Sequence, residues 1–221
     1  MIAMILAAGR GERLKPLTDS IPKALVEVHG QSLLERHLEK MRDAGIKDVV
    51  INLGWLGEKI VERVGTGSAY GLNVSYSDET GNVLETGGGI YKALPLLGDE
   101  TFLVVNADIL TDMPIPNMVL QDDALAHLVL VPKPDYREHG DFDLRDGRVC
   151  NSAAPELTYS GFTVYRPEFF ATCKPGRFSV APMFRKAADA GQLQGSLYEG
   201  RWADIGTAER LAALQSEYRS S

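Results

Sequence analysis

The stretch LAAGRGERLKPLTDSIPKALV, Leu6 to Val26, decides how the rest of the chain reads. An apolar run, Met1 to Leu6, leads into it and reads as a buried strand. Ala7, Ala8 and Gly9 are small enough to let another molecule come close to the backbone. Gly11, Glu12 and Arg13 follow, and Pro22-Lys23 closes the stretch ahead of a second apolar run, Ala24 to Val28. A glycine-rich loop after a strand can aim several N–H groups inward as an anion-binding concavity. Arg13, Lys15 and Lys23 add positive charge, so the stretch reads as a cradle for a polyphosphate. Two other identities fail. A dinucleotide fingerprint needs a third small residue where Leu14 stands and a helix running on, which Pro16 and Pro22 oppose. A P-loop needs Gly-Lys-Ser or Gly-Lys-Thr, and neither is present.

Outside the loop, the 221 residues are enough for one α/β domain with a full core. The net charge of −7 argues against a nucleic-acid surface, so a basic loop in an acidic chain points to a small anionic ligand. Cys150 and Cys173 are too few for a disulfide framework or a zinc site and read as free thiols. No signal peptide and no apolar run of membrane-spanning length is evident, which predicts a cytoplasmic protein with no membrane partner.

Strand and helix patterns alternate along the chain. Ser32 with Glu35 reads as a capping box opening a helix that Gly45 stops. Val49 to Leu53 reads as a strand, Trp55 to Val64 as a helix and Leu72 to Tyr76 as a strand. The rhythm predicts a doubly wound, mainly parallel, Rossmann-like mixed sheet. Leu84 to Tyr91, LETGGGIY, carries three glycines that are costly in helix or strand and so allow close contact with something. Thr101 to Asn106 is an apolar strand central to the sheet, ending in Asn106-Ala107-Asp108. Further on, Ala124 to Val131 and Leu157 to Tyr165 read as strands, with an Asp146-Gly147 hairpin between them. A last helix is expected over Ala208 to Tyr218.

An aspartate ending a central strand points into the crevice where open α/β sheets bind ligands. Asp108 would face the phosphates held by the first loop, and a cation between them removes the repulsion. Mg²⁺ suits that place because it takes one or two carboxylates plus phosphate oxygens. Asp204, in Trp202 to Thr207, WADIGT, is either a cap of the last helix or a second carboxylate for the same cation.

The opening LAAG-x-G-x-R-L-x-PLT, the Pro22-Lys23 pair, Asp108 and the Trp-x-Asp-x-Gly-Thr segment occur in order, and together they resemble the sugar-1-phosphate nucleotidyltransferases. The resemblance spans nearly the whole chain. It implies a nucleotide-diphospho-sugar transferase fold in one domain, residues 1–221, with nucleotide held by about 1–110 and sugar by about 111–221. It also implies that Ala8, Gly9, Gly11 and Glu12 meet nucleotide through the backbone and that Arg13 and Lys23 are catalytic cations. Glu85 and Thr86 would border the base, and Asn106 would meet nucleotide or sugar. Gly140 and Asp141 would lie by the sugar, with Asp108 and Asp204 holding Mg²⁺. The partners would be a nucleoside triphosphate and a sugar 1-phosphate, acted on by a monomer or small homo-oligomer. His29, His37, His127 and His139 need no catalytic part.

The Gly-Glu-Arg variant of the opening, LETGGG and the end of the chain one helix after Asp204 point, within the resemblance, to uridylyl transfer from UTP to N-acetylmuramate 1-phosphate in peptidoglycan recycling. Guanylyl transfer to mannose 1-phosphate stays open, because Glu85 could accept from uracil or from guanine. A lactyl carboxylate on the sugar would want a cation, and Arg201, Lys133 and Arg166 are candidates. A non-catalytic sugar-nucleotide sensor is the alternative of another class. Retention of Arg13, Lys23, Asp108 and Asp204 argues against it.

Overall fold

A computed structural model describes residues 1–115 and 119–217. The chain enters through β1 (Ile2–Leu6), makes three short 3-10 turns between Glu12 and Leu25, and forms a small hairpin, β2 (Glu27–Val28) and β3 (Gln31–Ser32). Helix α1 (Leu33–Asp43), β4 (Asp48–Leu53), α2 (Gly57–Val64), β5 (Asn73–Asp78), α3 (Glu85–Leu97) and β6 (Phe102–Asn106) follow in alternation. Then come β7 (Ile109–Thr111), β8 (Ala126–Pro132), β9 (Asp143–Arg145), β10 (Arg148–Cys150) and β11 (Leu157–Tyr165). Helix α4 (Ala181–Asp189), β12 (Leu193–Leu197), β13 (Trp202–Asp204) and α5 (Ala208–Glu217) complete it. Tyr218, expected to end the last helix, lies outside the described residues.

Nine strands form one sheet in the order β5-β4-β1-β6-β11-β8-β12-β10-β9. The pairings make β11 and β10 the two strands that oppose the others, so the sheet is mixed and mainly parallel, as expected. The chain winds outward from β1 to β4 and β5, then returns past β1 to β6. That reversal opens a crevice at the carboxyl ends of β1 and β6.

Both faces of the sheet are covered, which the alternation along each strand requires. Ala3, Ile5, Val49, Ile51, Leu103 and Val105 pack on Leu34, Leu38 and Met41 of α1 and Ile60 of α2. Met4, Val50, Phe102 and Val104 face the other way, onto Ile90, Ala93 and Leu97 of α3 and Phe184 of α4. A third cluster joins Leu14, Val26 and Leu33 to Ile205 and Leu211. It fastens the first loop to the start of α5.

The capping box is present: Ser32 Oγ accepts from the Glu35 amide at 3.2 Å, and Glu35 Oε2 accepts from the Ser32 amide at 3.0 Å. Two local expectations need correction. Helix α2 starts at Gly57 rather than Trp55, because Leu56 sits in the left-handed region at φ 54° and Gly54 is pressed on the loop. A Cβ on Gly54 would fall 2.3 Å from the Ala8 carbonyl oxygen. The three glycines of LETGGG lie inside α3, which also carries Pro95 within it. Their smallness serves the chain itself: a Cβ at Gly87 would meet the Phe178 ring at 2.5 Å, at Gly88 the Gly176 oxygen at 2.2 Å, and at Gly89 the Glu79 carboxylate at 2.6 Å.

Candidate active site

A cavity of about 360 Å³ opens where the carboxyl ends of β1, β4 and β6 meet the first loop and the start of α3. Ala8, Gly9, Gly11, Glu12, Arg13, Lys23, Glu85, Thr86, Asn106 and Asp108 all line it. The loop is shaped by internal contacts before any ligand arrives. Gly11 takes the left-handed conformation at φ 65°, and the Thr18 hydroxyl donates to its carbonyl at 2.8 Å. Trp55 Nε1 donates to the Thr18 carbonyl at 2.9 Å, which ties that turn to the end of β4.

Two buried polar residues that sequence reasoning missed hold the loop from below. Asn52 Oδ1 accepts from the amides of Ala7 at 2.6 Å and Ala8 at 3.3 Å. Its Nδ2 donates to Glu79 Oε1 at 2.7 Å, and Glu79 Oε2 accepts from the Leu84 amide at 3.1 Å. The Ala8 amide is therefore engaged by a side chain that also lines the cavity, whereas a Cβ built on Gly9 would meet nothing within 4 Å. A polar residue at the carboxyl end of β4 was the available signal for Asn52.

The charged groups sort into pairs. Lys23 Nζ forms an ion pair with Asp108 Oδ2. Arg210 Nη1 donates to both carboxylate oxygens of Asp204 at 2.8 Å, and Tyr136 Oη donates to Asp204 Oδ1. Glu12 turns outward to Lys15 at 2.8 Å and Arg10 at 3.3 Å, leaving its backbone at the cavity wall. Glu85, in the left-handed region at φ 60°, accepts from Arg177 Nε at 2.9 Å.

The two aspartates are backbone neighbours. Strands β7 and β13 pair antiparallel with Asp204 opposite Ile109, and the Ile205 amide donates to the Asp108 carbonyl at 2.9 Å. Among the described residues, no group of three or more His, Cys, Asp or Glu side chains is placed to hold a metal ion. Asp108 lines the cavity and Asp204 does not, though Gly206, two residues on, does; carboxylates are the side-chain donors that a hard divalent cation takes.

Gly140 and Asp141 lie apart from this cavity lining, at the start of β11. A Cβ on Gly140 would fall 2.4 Å from the Leu157 carbonyl oxygen, and Asp141 accepts from Arg137 Nη1 at 3.2 Å and the Tyr159 amide at 2.9 Å. Of the three cations weighed for a sugar carboxylate, Arg166 is corrected by register. It follows Tyr165, which pairs with Phe102 at the opposite edge of the sheet. Arg201 lines a separate cavity behind β7 and β13. Lys133 follows Pro132, which pairs with Leu157 at the edge that carries the cavity.

Residues 2–143 match the model of the nucleotidyl transferase family. The chain belongs to that family, and within it to the sugar-1-phosphate nucleotidyltransferases that its motifs resemble. It is 44% identical, over 98% of its own length and 97% of the relative's, to an N-acetylmuramate alpha-1-phosphate uridylyltransferase of Neisseria meningitidis serogroup B. It is 34% identical to an N-acetylmuramate alpha-1-phosphate uridylyltransferase of Caulobacter vibrioides, over 97% of this chain and 96% of that one. A solved structure of UDP-glucose pyrophosphorylase complexed with UDP-glucose superposes with a TM-score of 0.79 at 18% identity, covering 99% of this chain and 98% of that one. At that identity the likeness shows the fold. Among the described residues, no helix is long and apolar enough to cross a membrane.

Proposed function

We propose that the chain transfers the uridylyl group of UTP to N-acetylmuramate 1-phosphate, giving UDP-N-acetylmuramate and pyrophosphate. The observation that carries the reaction type is the convergence of Arg13, Lys23 and Asp108 on one cavity at the carboxyl edge of the sheet. The choice of base and sugar is supported by the 44% identity over nearly full lengths to a relative of that name. A product of this kind would return a cell-wall amino sugar to a nucleotide-activated form, which is a peptidoglycan recycling step.

The open backbone of Gly9 would receive the triphosphate, with Arg13 over it. Lys23 would stand between the triphosphate and the incoming sugar phosphate, and Glu85 and Thr86 would border the base. One phosphate oxygen of the sugar attacks the α-phosphorus in line, and pyrophosphate leaves. The attacking phosphate is already ionised, so no side chain need remove a proton. The chain's part is positioning and neutralisation of charge. Asp108 and Asp204 would hold Mg²⁺, which supplies further neutralisation of phosphate charge when bound. The sugar would extend from Asn106 toward the carboxyl end of β8, where Lys133 would meet a lactyl carboxylate.

The test is a matrix of nucleoside triphosphates against sugar 1-phosphates, read by pyrophosphate release. UTP with N-acetylmuramate 1-phosphate leads if the proposal holds. GTP with mannose 1-phosphate leading, or no release with any pair, contradicts it.

A further inference from the structure

Asp204 has no unoccupied oxygen. Oδ1 accepts from Tyr136 Oη and Arg210 Nη1, and Oδ2 accepts from Arg210 Nη1. The Arg210 guanidinium also stacks on the Tyr136 ring, 3.6 Å from its centroid. A metal ion that takes this carboxylate has to compete with a partner already in place.

The charge pattern points to which partner that is. Three cations, Arg13, Lys23 and Arg210, serve two carboxylates, Asp108 and Asp204. Lys23 holds one and Arg210 the other, and Arg13 has no ion pair among the described residues. Gly206 shows how near Arg210 is to the phosphate side. A Cβ there would fall 2.8 Å from Arg210 Nη1 and 3.4 Å from Arg13 Nη2, and Gly206 itself lines the cavity. Two guanidinium groups thus approach one bare stretch of backbone that faces the substrate. Helix α5 places Arg210 there through Leu211, which packs with Leu14 and Ile205.

Taking Asp108 and Asp204 as the metal carboxylates, as proposed above, we infer that Arg210 is an exchangeable cation of the site. It holds Asp204 while the site is empty. When a divalent cation takes that carboxylate, Arg210 turns past Gly206 to a phosphate oxygen, as Lys23 turns from Asp108. The positive charge that the carboxylates keep in place at rest is thereby passed to the substrate as the metal arrives.

The exchange makes a prediction of opposite sign for two measurements on one variant. Arg210→Gln removes the competitor for Asp204, so Mn²⁺ alone, titrated into the unliganded protein and followed by the loss of free-ion electron paramagnetic resonance signal, should bind about tenfold more tightly. The same variant should lose about tenfold or more in kcat at saturating UTP and N-acetylmuramate 1-phosphate, with part of the rate restored in Arg210→Lys. Unchanged or weaker Mn²⁺ binding in Arg210→Gln overturns the exchange. If Arg210→Gln fails to fold, Arg210→Met decides instead. A methionine keeps the apolar stem and carries no charge to Asp204, so its Mn²⁺ affinity should also rise, and no rise overturns the exchange. Asp204→Asn separates this idea from the metal assignment on which it rests. Loss of Mn²⁺ binding there, with none gained in Arg210→Gln, overturns the exchange alone. Undiminished Mn²⁺ binding in Asp204→Asn overturns both.

Discussion

Asn52 Nδ2 lies 2.7 Å from Glu79 Oε1, and both side chains are almost wholly shut off from solvent. Together they join two walls of the cavity. The other end of Asn52 holds the Ala7 and Ala8 amides, and the other oxygen of Glu79 holds the Leu84 amide just before α3. Asn52→Ala strands two loop amides and a carboxylate. Each buried group left without a partner costs about 1–3 kcal/mol. Thermal unfolding should therefore shift down, by about 2–4 °C for every kcal/mol lost in a chain of this size. The KM for nucleoside triphosphate should rise as well, since the loop is no longer held. An unchanged melting temperature and KM would remove the relay from the site.

Gly88 tests the packing of α3. On helix propensity alone, Gly88→Ala should stabilise by about 1 kcal/mol. The clash of a Cβ with the Gly176 carbonyl, at 2.2 Å, is with backbone and cannot be relieved by a rotamer change. The substitution should destabilise, which chemical denaturation reads directly. A gain in stability would mean that the Gly176–Phe178 segment is not seated on the helix.

How much of this was legible in the sequence depended on how local the cause was. The Ser32–Glu35 cap, the apolar strands and the aspartate just past the end of β6 are decided within a few residues, and pattern alone located them. The glycines of LETGGG were rightly read as points of close contact, but their place inside a helix was not foreseen, because helix propensity argues against them and what overrides it at Gly87 and Gly88 is a segment some ninety positions away. That long-range cause leaves no mark on the local pattern. Asn52 and Glu79 escaped for the same reason, each being an ordinary polar residue until the other is brought beside it. Asp204 could be matched to a motif, but its partners Tyr136 and Arg210 emerge only once α5 and the connector after β8 are in place.

Acid should lower the stability of the protein through two pH windows. Burial, and then the charge of Lys40, brings His37 down from 6.5 to about 4. Burial drives the Glu35 carboxyl up, but hydrogen bonds from Arg63, Ser32 and Tyr70 outweigh it and hold it at about 2, below its ordinary 4.5. Both groups bind protons more weakly folded than unfolded, so each contributes stability at higher pH that is lost as pH falls. His37 acts between about 6.5 and about 4, and Glu35 between about 4.5 and about 2. Denaturant midpoints followed from pH 7 to pH 3 should decline through both windows. Glu35→Gln should flatten the lower decline and spare the upper one. An equally steep lower decline in that variant would exclude Glu35 as its source.

Asp108→Asn keeps the shape and removes the charge. The pair it breaks is partly exposed, 29% on the aspartate side and 16% on the lysine side, so stability should change by no more than about 1 kcal/mol. Turnover should fall about a hundredfold or more, the scale seen when one stabilising group is removed from a reacting charge. Pyrophosphate release at the wild-type rate would dismiss Asp108 from the chemistry.

The most direct measurement uses UTP labelled at the α-phosphorus, incubated with N-acetylmuramate 1-phosphate, Mg²⁺ and the wild-type chain. The label should appear in a single product with the mass of UDP-N-acetylmuramate, with unlabelled pyrophosphate released in equal amount. Label that stays in UTP, while α-labelled GTP with mannose 1-phosphate is converted, would contradict the proposed function.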